Sequence, residues 1–360
     1  MRKLIVVTVL FLVVVIGSYA FFSQPKSLVQ TKLTIFCADS VLYPLGKVSE
    51  SYMKENPVQV EIEGHGSIQV IRHVTELGYH VDLLMTADYS LIPMLMYNTT
   101  DKETGKSYSD WYIRFSGNSV VLAYTDKSKY AEEINAKNWY EVLARPGVKY
   151  GMPDPIVDAL GYRSLMTLKL AESYYGDSTI FGKLLGDNFN PTFMTAEVPG
   201  KTVIFVPEIE QPRNDKVTMR AATPEVTPLL DTGVIDYCFM YLSNAKQNGY
   251  KYVELPPEIN MGDESYQSNY AKVEVRFLNQ RFGTVSPIME GSTIYYGLTI
   301  PSNANNKADA ESFVKYLLSG EGKTIFDASW QTIYNPSYAD HINNVPSNLK
   351  PLLETDPLGR

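Results

Sequence analysis

Between residues 32 and 96, strand-like and helix-like patterns alternate three times, and this alternation restricts the fold more than any other feature of the chain. Residues 32–37 (KLTIFC) read as a strand, Asp39 and Ser40 are capping residues, and Val41, Leu42, Leu45, Val48 and Tyr52 recur at helical spacing. Val58, Val60 and Ile62 then alternate with polar residues, GHGS at 64–67 turns the chain, and residues 68–77 carry a helix stopped by Gly78. Residues 81–84 give a third strand, and Asp88 caps a helix bearing Leu91, Ile92, Leu95 and Met96. Strands that alternate with helices imply a parallel sheet with helices on its faces.

A second region repeats the logic. Residues 119–124 (SVVLAY) follow the apolar 111–115 segment and cross into a second lobe. There a helix at 138–144, a strand at 148–152, a Pro-rich loop holding Asp158 and a helix at 161–175 follow one another. Residues 176–218 are rich in Gly, Asn and Pro and give no pattern. Thr223-Pro224-Glu225 has the capping oxygen, the proline and the acid that open a helix. Strands are expected at 235–240, 252–255 and around Val273, Val275 and Phe277, and the strand at 293–300 returns the chain to the first lobe. Helices at 309–318 and 322–329 complete that lobe. The expected organisation is an N-terminal segment and linker (1–31), a first lobe (32–124 and 291–345), a second lobe (125–290) and a C-terminal tail (346–360) that wraps the surface.

Met1-Arg2-Lys3 followed by an apolar run over 4–16 is the pattern of an export signal. Ser18-Tyr19-Ala20 offers small residues for cleavage, while 4–22 is about long enough to anchor in a bilayer; no Cys lies near its end to carry a lipid. With 32 Lys and Arg against 40 Asp and Glu, the net charge of −8 and the absence of like-charge runs exclude a nucleic-acid partner. Cys37 and Cys238 lie in apolar runs and read as buried free thiols. The four histidines, His65, His73, His80 and His341, have no metal-ligand spacing, and neither a G-x-S-x-G elbow nor a Cys–His pair supports an enzyme. Asn98-Thr99-Thr100 is a formal glycosylation acceptor.

Residues 153–164 (PDPIVDALGYRS) bring a loop from a strand to a helix start, where free N–H groups and the helix dipole suit an anion. Asp158 lies in the same loop. A carboxylate repels an anion, so any ligand held there has to reconcile the two.

Residues 32–38 with Ser40, GHGSIQVIRHVTEL (64–77), DLLMTADYSLIP (82–93), VLAYTDKSKY (121–130), NWYEVLARPGV (138–148), DALGYRS (158–164) and DYCFMYLS (236–243) together resemble the archaeal-type molybdate/tungstate-binding proteins. These are extracytoplasmic receptors of an ABC importer. The likeness runs in order from residue 32 to about 327. It implies an α/β, two-lobed periplasmic-binding-protein (type II) fold, each lobe a mostly parallel sheet flanked by helices, closing on an oxyanion in the cleft. It also implies a permease partner, no resident cofactor, and an exported monomer that meets the membrane only through its N-terminal segment.

Carried over by position, the resemblance implies ligand roles for Ser40, Ser67, Asp158 with the adjacent Ala159, and Tyr241, and Thr223 is a further ligand candidate. In that family an Asp and a Glu add two carboxylate oxygens to the four of the anion, making the metal six-coordinate. A carboxylate facing the small saturated centre of sulfate or phosphate only repels. Molybdenum(VI) and tungsten(VI) are larger hard centres that accept further oxygens. The family's Glu stands eighteen residues before its tyrosine, and that count back from Tyr241 reaches Thr223, in RAATPE. Asp39 stands where the family has Gly, so Asp39, or Glu225 after a local shift, is expected to supply the lost oxygen and join Asp158 on the metal.

Each residue also has a plainer reading. Ser40, Ser67 and Thr223 fall at helix starts, where Ser and Thr serve as caps, and Asp158 suits a turn or cap. Arg163 reads as a structural ion-pair former, His65 as a loop residue, and the 26 scattered tyrosines as core edges. The sequence leaves open a receptor for sulfate, phosphate or a small carboxylate, and a membrane-tethered sensor or adhesion module.

Overall fold

The β-α alternation of the first hundred residues builds the centre of a seven-stranded sheet. The computed structural model describes residues 31–278 and 288–358, so the N-terminal export segment lies outside the described residues. Strands Thr31–Ala38 and Leu83–Thr86 pair in parallel, with Ile35 opposite Leu83 and Cys37 opposite Met85, and all four side chains fully buried. In spatial order the sheet runs Leu353–Thr355, Ile333–Ala339, Ile113–Gly117, Tyr295–Thr299, Leu83–Thr86, Thr31–Ala38 and Val58–His65. Helix Leu42–Glu55 buries Leu45 and Val48, helix Ser67–Thr75 buries Ile68 and Ile71, and helix Lys307–Leu318 buries Phe313 and Leu317 in the same core.

The second lobe centres on a five-stranded sheet in the order Val217–Arg220, Tyr150–Pro153, Tyr237–Tyr241, Val120–Tyr124 and Lys251–Glu254. Only Asn118 and Ser119 separate strand Ile113–Gly117 of the first sheet from strand Val120–Tyr124 of the second, which makes them the outward crossing. Strand Tyr295–Thr299 is the return. Both sheets are mixed and not mostly parallel. Parallel pairs such as Tyr150–Pro153 with Val217–Arg220 coexist with antiparallel ones, and the crossing strands Ile113–Gly117, Val120–Tyr124 and Tyr295–Thr299 pair antiparallel with their neighbours. A strand that enters from the other lobe is not bound by the helix crossover that forces its neighbours parallel.

Two further features depart from the sequence reading. Within the unpatterned 176–218 region, strands Met194–Val198 and Lys201–Val206 join Val273–Phe277 and Ile288–Glu290 in a further four-stranded sheet. Met194–Val198 is exposed along nearly its whole length, so no apolar alternation marked it. The segment read as a C-terminal tail supplies the edge strand Leu353–Thr355, parallel to Ile333–Ala339. Asp356 beyond it is buried, its carboxylate pairing with Arg114 at 2.7 Å and accepting from the Tyr112 hydroxyl at 3.0 Å. The Arg114 guanidinium also lies over the rings of Tyr295 and Tyr338, 4.2 and 4.8 Å from their centroids. Cys37 and Cys238 are free and buried, as expected, and burial pushes the Cys238 thiol up to about 12.

Removing one partner of a buried ion pair strands the other charge. Asp356→Ala is therefore expected to destabilise the protein by roughly 3–5 kcal/mol, seen as a lower midpoint in chemical denaturation. An unchanged midpoint would show that the C-terminal strand is dispensable.

Candidate functional site

Four helix or turn starts converge where the two lobes meet, and the hydrogen-bonding of their first residues defines the site. Helix Ala159–Tyr175 begins at Asp158, whose Oδ1 accepts from the Leu160 N–H at 2.7 Å. Asp158 is thus the cap that its plainer reading suggested. A carboxylate has a second oxygen, and Oδ2 is buried without a hydrogen-bond partner among the described residues. Gly161 lets this helix start pack on the preceding loop, since a Cβ there would lie 2.6 Å from the Pro155 backbone. Ala159, next to the cap, is fully buried.

Helix Ser67–Thr75 starts on the first lobe, with Gly66 at its cap position. A Cβ on Gly66 would lie 2.4 Å from the Val157 carbonyl oxygen, so only glycine allows the two loops to approach this closely. That carbonyl accepts from the N–H groups of Ile68 and Gln69 at 3.1 and 3.4 Å, across the lobe boundary. The Ser67 hydroxyl does not cap; its oxygen accepts from the Ala87 N–H at 3.0 Å.

Thr223 does not cap either. It is the first residue of helix Thr223–Asp231, and its N–H donates to Asp39 Oδ2 at 2.9 Å. The capping oxygen comes from the opposite lobe, 184 residues away in sequence. Asp39 opens the short 3-10 turn Asp39–Val41, which also holds Ser40. The Ser40 oxygen accepts from the Tyr296 hydroxyl at 3.0 Å, and its carbonyl accepts from Asn244 Nδ2 at 3.2 Å. Glu225, the alternative to Asp39, is exposed in the first turn of its helix.

Tyr241 ends its strand buried, and its hydroxyl oxygen accepts from Arg163 Nη1 at 2.6 Å. The same nitrogen donates to the Ala87 carbonyl at 2.6 Å, and Nη2 lies 3.1 Å from Asp88 Oδ2, which also accepts from the Tyr162 hydroxyl at 2.6 Å. Arg163 is therefore an ion-pair former, as its sequence position suggested, and the ion pair joins one lobe to the other. His65 ends strand Val58–His65 with its ring 4.6 Å from that of His73 and 6.0 Å from that of Phe36. Among the described residues no group of three or more His, Cys, Asp or Glu is placed to hold a metal ion, and no helix is long and apolar enough to cross a membrane.

Ser40, Ser67 and Tyr241 share one arrangement. Each oxygen already accepts from a fixed donor, so each hydroxyl keeps its proton to donate. The carboxylates oppose that polarity. Burial pushes the Asp39 carboxyl up to about 7, against the pull of the Thr223 and Ser40 N–H groups and with a further push from the Glu225 charge. Burial also holds Asp158 well above the usual carboxylate range, with the Asp39 charge adding to it and Arg163 opposing. Sequence reasoning missed Tyr296, Asn244 and the Ala87-Asp88 contacts of Arg163. Their signal is three-dimensional, although Asp88 and Arg163 both fall in the segments that carried the resemblance.

The sequence profile described as bacterial extracellular solute-binding protein matches residues 33–329. A solute-binding protein of uncharacterized specificity from Methanococcus maripaludis is 38% identical over 323 residues, covering 89% of this chain and 88% of the relative. The molybdate/tungstate-binding protein WtpA of Thermococcus kodakarensis is 36% identical over 337 residues, covering 91% and 89%. Among solved structures, the periplasmic molybdate-binding protein of Azotobacter vinelandii superposes with a TM-score of 0.53 at 14% identity, over 84% of this chain and all of that one. The sulfate-binding protein SubI of Mycobacterium tuberculosis gives 0.52 at 13%, over 85% and 88%. The last two likenesses bear on the fold alone.

Asp39 gives a pH dependence with a definite sign. Its acid form is favoured in the folded protein up to about 7, against an ordinary value of 3.8, so the native state binds more protons and loses stability as pH rises through that interval. Without ligand, Asp39→Asn is expected to gain thermal midpoint over wild type progressively from pH 4 to pH 7. A difference that stays flat across that range would remove the buried-carboxyl account.

Proposed function

From the premise that the chain belongs to the family of bacterial extracellular solute-binding proteins, we propose that it captures tungstate or molybdate outside the cytoplasm and delivers it to an ABC permease. The observation that carries this reading is the second oxygen of Asp158, buried and unpartnered at one of the converging helix starts, where the hydroxyls of Ser40, Ser67 and Tyr241 are each set to donate. Donors alone would suit any oxyanion. A carboxylate oxygen among them suits an anion whose central atom accepts another ligand. The molybdate/tungstate-binding names of relatives that cover about nine-tenths of the chain support the same class of ligand.

In this reading Ser40, Ser67 and Tyr241 donate to the anion's oxygens at the helix starts of Ala159 and Thr223, the Thr223 N–H being held by Asp39. Asp158 and Asp39 supply oxygens to the metal. Asp39 is preferred to Glu225 because Thr223 holds its carboxylate at the position where the resemblance puts the missing Glu. No bond of the protein is made or broken and no resident cofactor takes part; the working step is hinge closure. The protein acts as a monomer, tethered by its N-terminal apolar segment or released from it by cleavage.

Isothermal titration with tungstate, molybdate, sulfate and phosphate tests the reading. Wild type is expected to prefer the two metal oxyanions. Asp158→Asn is expected to weaken tungstate binding at least tenfold, the scale of about 1.4 kcal/mol, and to narrow the preference over sulfate because a repelling charge has gone. Unchanged tungstate affinity in Asp158→Asn would falsify the ligand assignment. Asp39→Gly, which restores the family's residue without restoring its Glu, is expected to lose affinity too; if it binds as tightly as wild type, Asp39 is not a ligand.

A further inference from the structure

The donor role of Ser40 is set by a residue outside the site. Asn118 lies at the crossing between strands Ile113–Gly117 and Val120–Tyr124. Its Oδ1 accepts from the Ser119 N–H at 3.0 Å and from the Ser243 N–H at 3.3 Å, which fixes the amide orientation and leaves Nδ2 to donate. Nδ2 donates to the Ser243 hydroxyl at 2.8 Å and to the Tyr296 hydroxyl at 3.2 Å. Tyr296, fully buried on the return strand, has its oxygen accepting from Asn118 and so turns its proton to Ser40 at 3.0 Å. A hydroxyl carries one proton, and Ser40, whose oxygen is already accepting, directs its own elsewhere.

We propose that Asn118 is a positioning residue for ligand capture: its amide sets the direction of the donor chain from Asn118 through Tyr296 to Ser40, and so presents Ser40 as a donor to an acceptor-only oxyanion. Chains of hydrogen bonds polarise one another, so the direction imposed at one end is felt at the other. The arrangement also ties that direction to the hinge. Ser243, which orients the amide, belongs to helix Leu242–Gln247 after the Tyr241 strand, whereas Tyr296 and Ser40 belong to the first lobe. Asn244 of the same helix holds the Ser40 carbonyl. The inference rests on the oxyanion reading above.

Tungstate titration of wild type, Asn118→Asp, Tyr296→Phe and the double variant from pH 8 downward tests it. The carboxylate that Asn118→Asp introduces can only accept when ionised, so it reverses the chain and leaves Ser40 donating to Tyr296; Tyr296→Phe removes the link while keeping the ring. Each single change is expected to weaken binding roughly five- to tenfold, the scale of one buried hydrogen bond. The double variant is expected to lose no more than the weaker-binding single, because both act through one chain. Once the pH falls below the introduced carboxyl's own titration midpoint, followed by NMR, Asn118→Asp is expected to recover toward wild type at the same pH, since a protonated carboxyl donates as the amide did, while Tyr296→Phe does not. Additive losses, or an Asn118→Asp deficit that pH leaves unchanged, overturn the proposal alone. Wild type that ignores tungstate overturns the functional reading and this inference with it. Should Asn118→Asp not fold, Tyr296→Phe with Ser40→Ala gives the equivalent cycle, and additivity there is again fatal.

Discussion

A carboxylate at a helix start has two oxygens, and the helix needs only one of them. Asp158 gives Oδ1 to the Leu160 N–H and leaves Oδ2 buried at the lobe boundary, in the field of Asp39. Burying a charge without a partner costs several kcal/mol in practice, so such a group holds a proton or meets a cation-like centre. The other polar groups of the cleft can be read from this one oxygen. The hydroxyls of Ser40, Ser67 and Tyr241 keep their protons to donate, which suits the oxygens of an anion, while the carboxylate suits the electron-poor atom at that anion's centre.

The helix starts explain how the lobes come together. Ser40, Ser67 and Thr223 are residues that ordinarily close a helix by accepting from its first N–H groups. None does so here, and at the Ser67 and Thr223 helix starts the acceptors arrive from the opposite lobe. Asp39 takes the Thr223 N–H, and the Val157 carbonyl takes those of Ile68 and Gln69. Arg163 adds the buried contact to Ala87 and Asp88. The N–H groups of Thr223, Ile68 and Gln69 are thus satisfied across the boundary, while Ser67 and Ser40 accept within their own lobe and keep their protons to donate.

Much of this was legible in the sequence, and the exceptions have physical causes. Strand and helix periodicity from residue 32 to 96 gave the first sheet, and the crossing at 119–124 and the return at 293–300 follow from apolar runs bounded by polar turns. Asp158 announced itself as a carboxylate where an anion site would form. The further sheet did not, because the exposed strand Met194–Val198 carries no apolar face. The buried role of Asp356 was hidden because its partner Arg114 lies 242 residues away. The capping of Thr223 by Asp39 was misread for the same reason: a local pattern identifies a vacancy at a helix start, not the distant side chain that fills it.

In the proposed reading, the exchange between positions 39 and 223 makes closure and ligand depend on each other. In the family pattern the Asp and the Glu fall at positions 158 and 223, both in the second lobe. With Asp39 in the role of the missing Glu, one carboxylate lies on each lobe, and the Thr223 N–H holds Asp39 across the boundary. Burial raises the Asp158 carboxyl, and the Asp39 charge adds to that across the lobe boundary. A dianion of sulfate type would add to that repulsion. A metal oxyanion would relieve it by drawing both oxygens to its centre, so the closed state becomes favourable chiefly with the ligand that the two carboxylates can share.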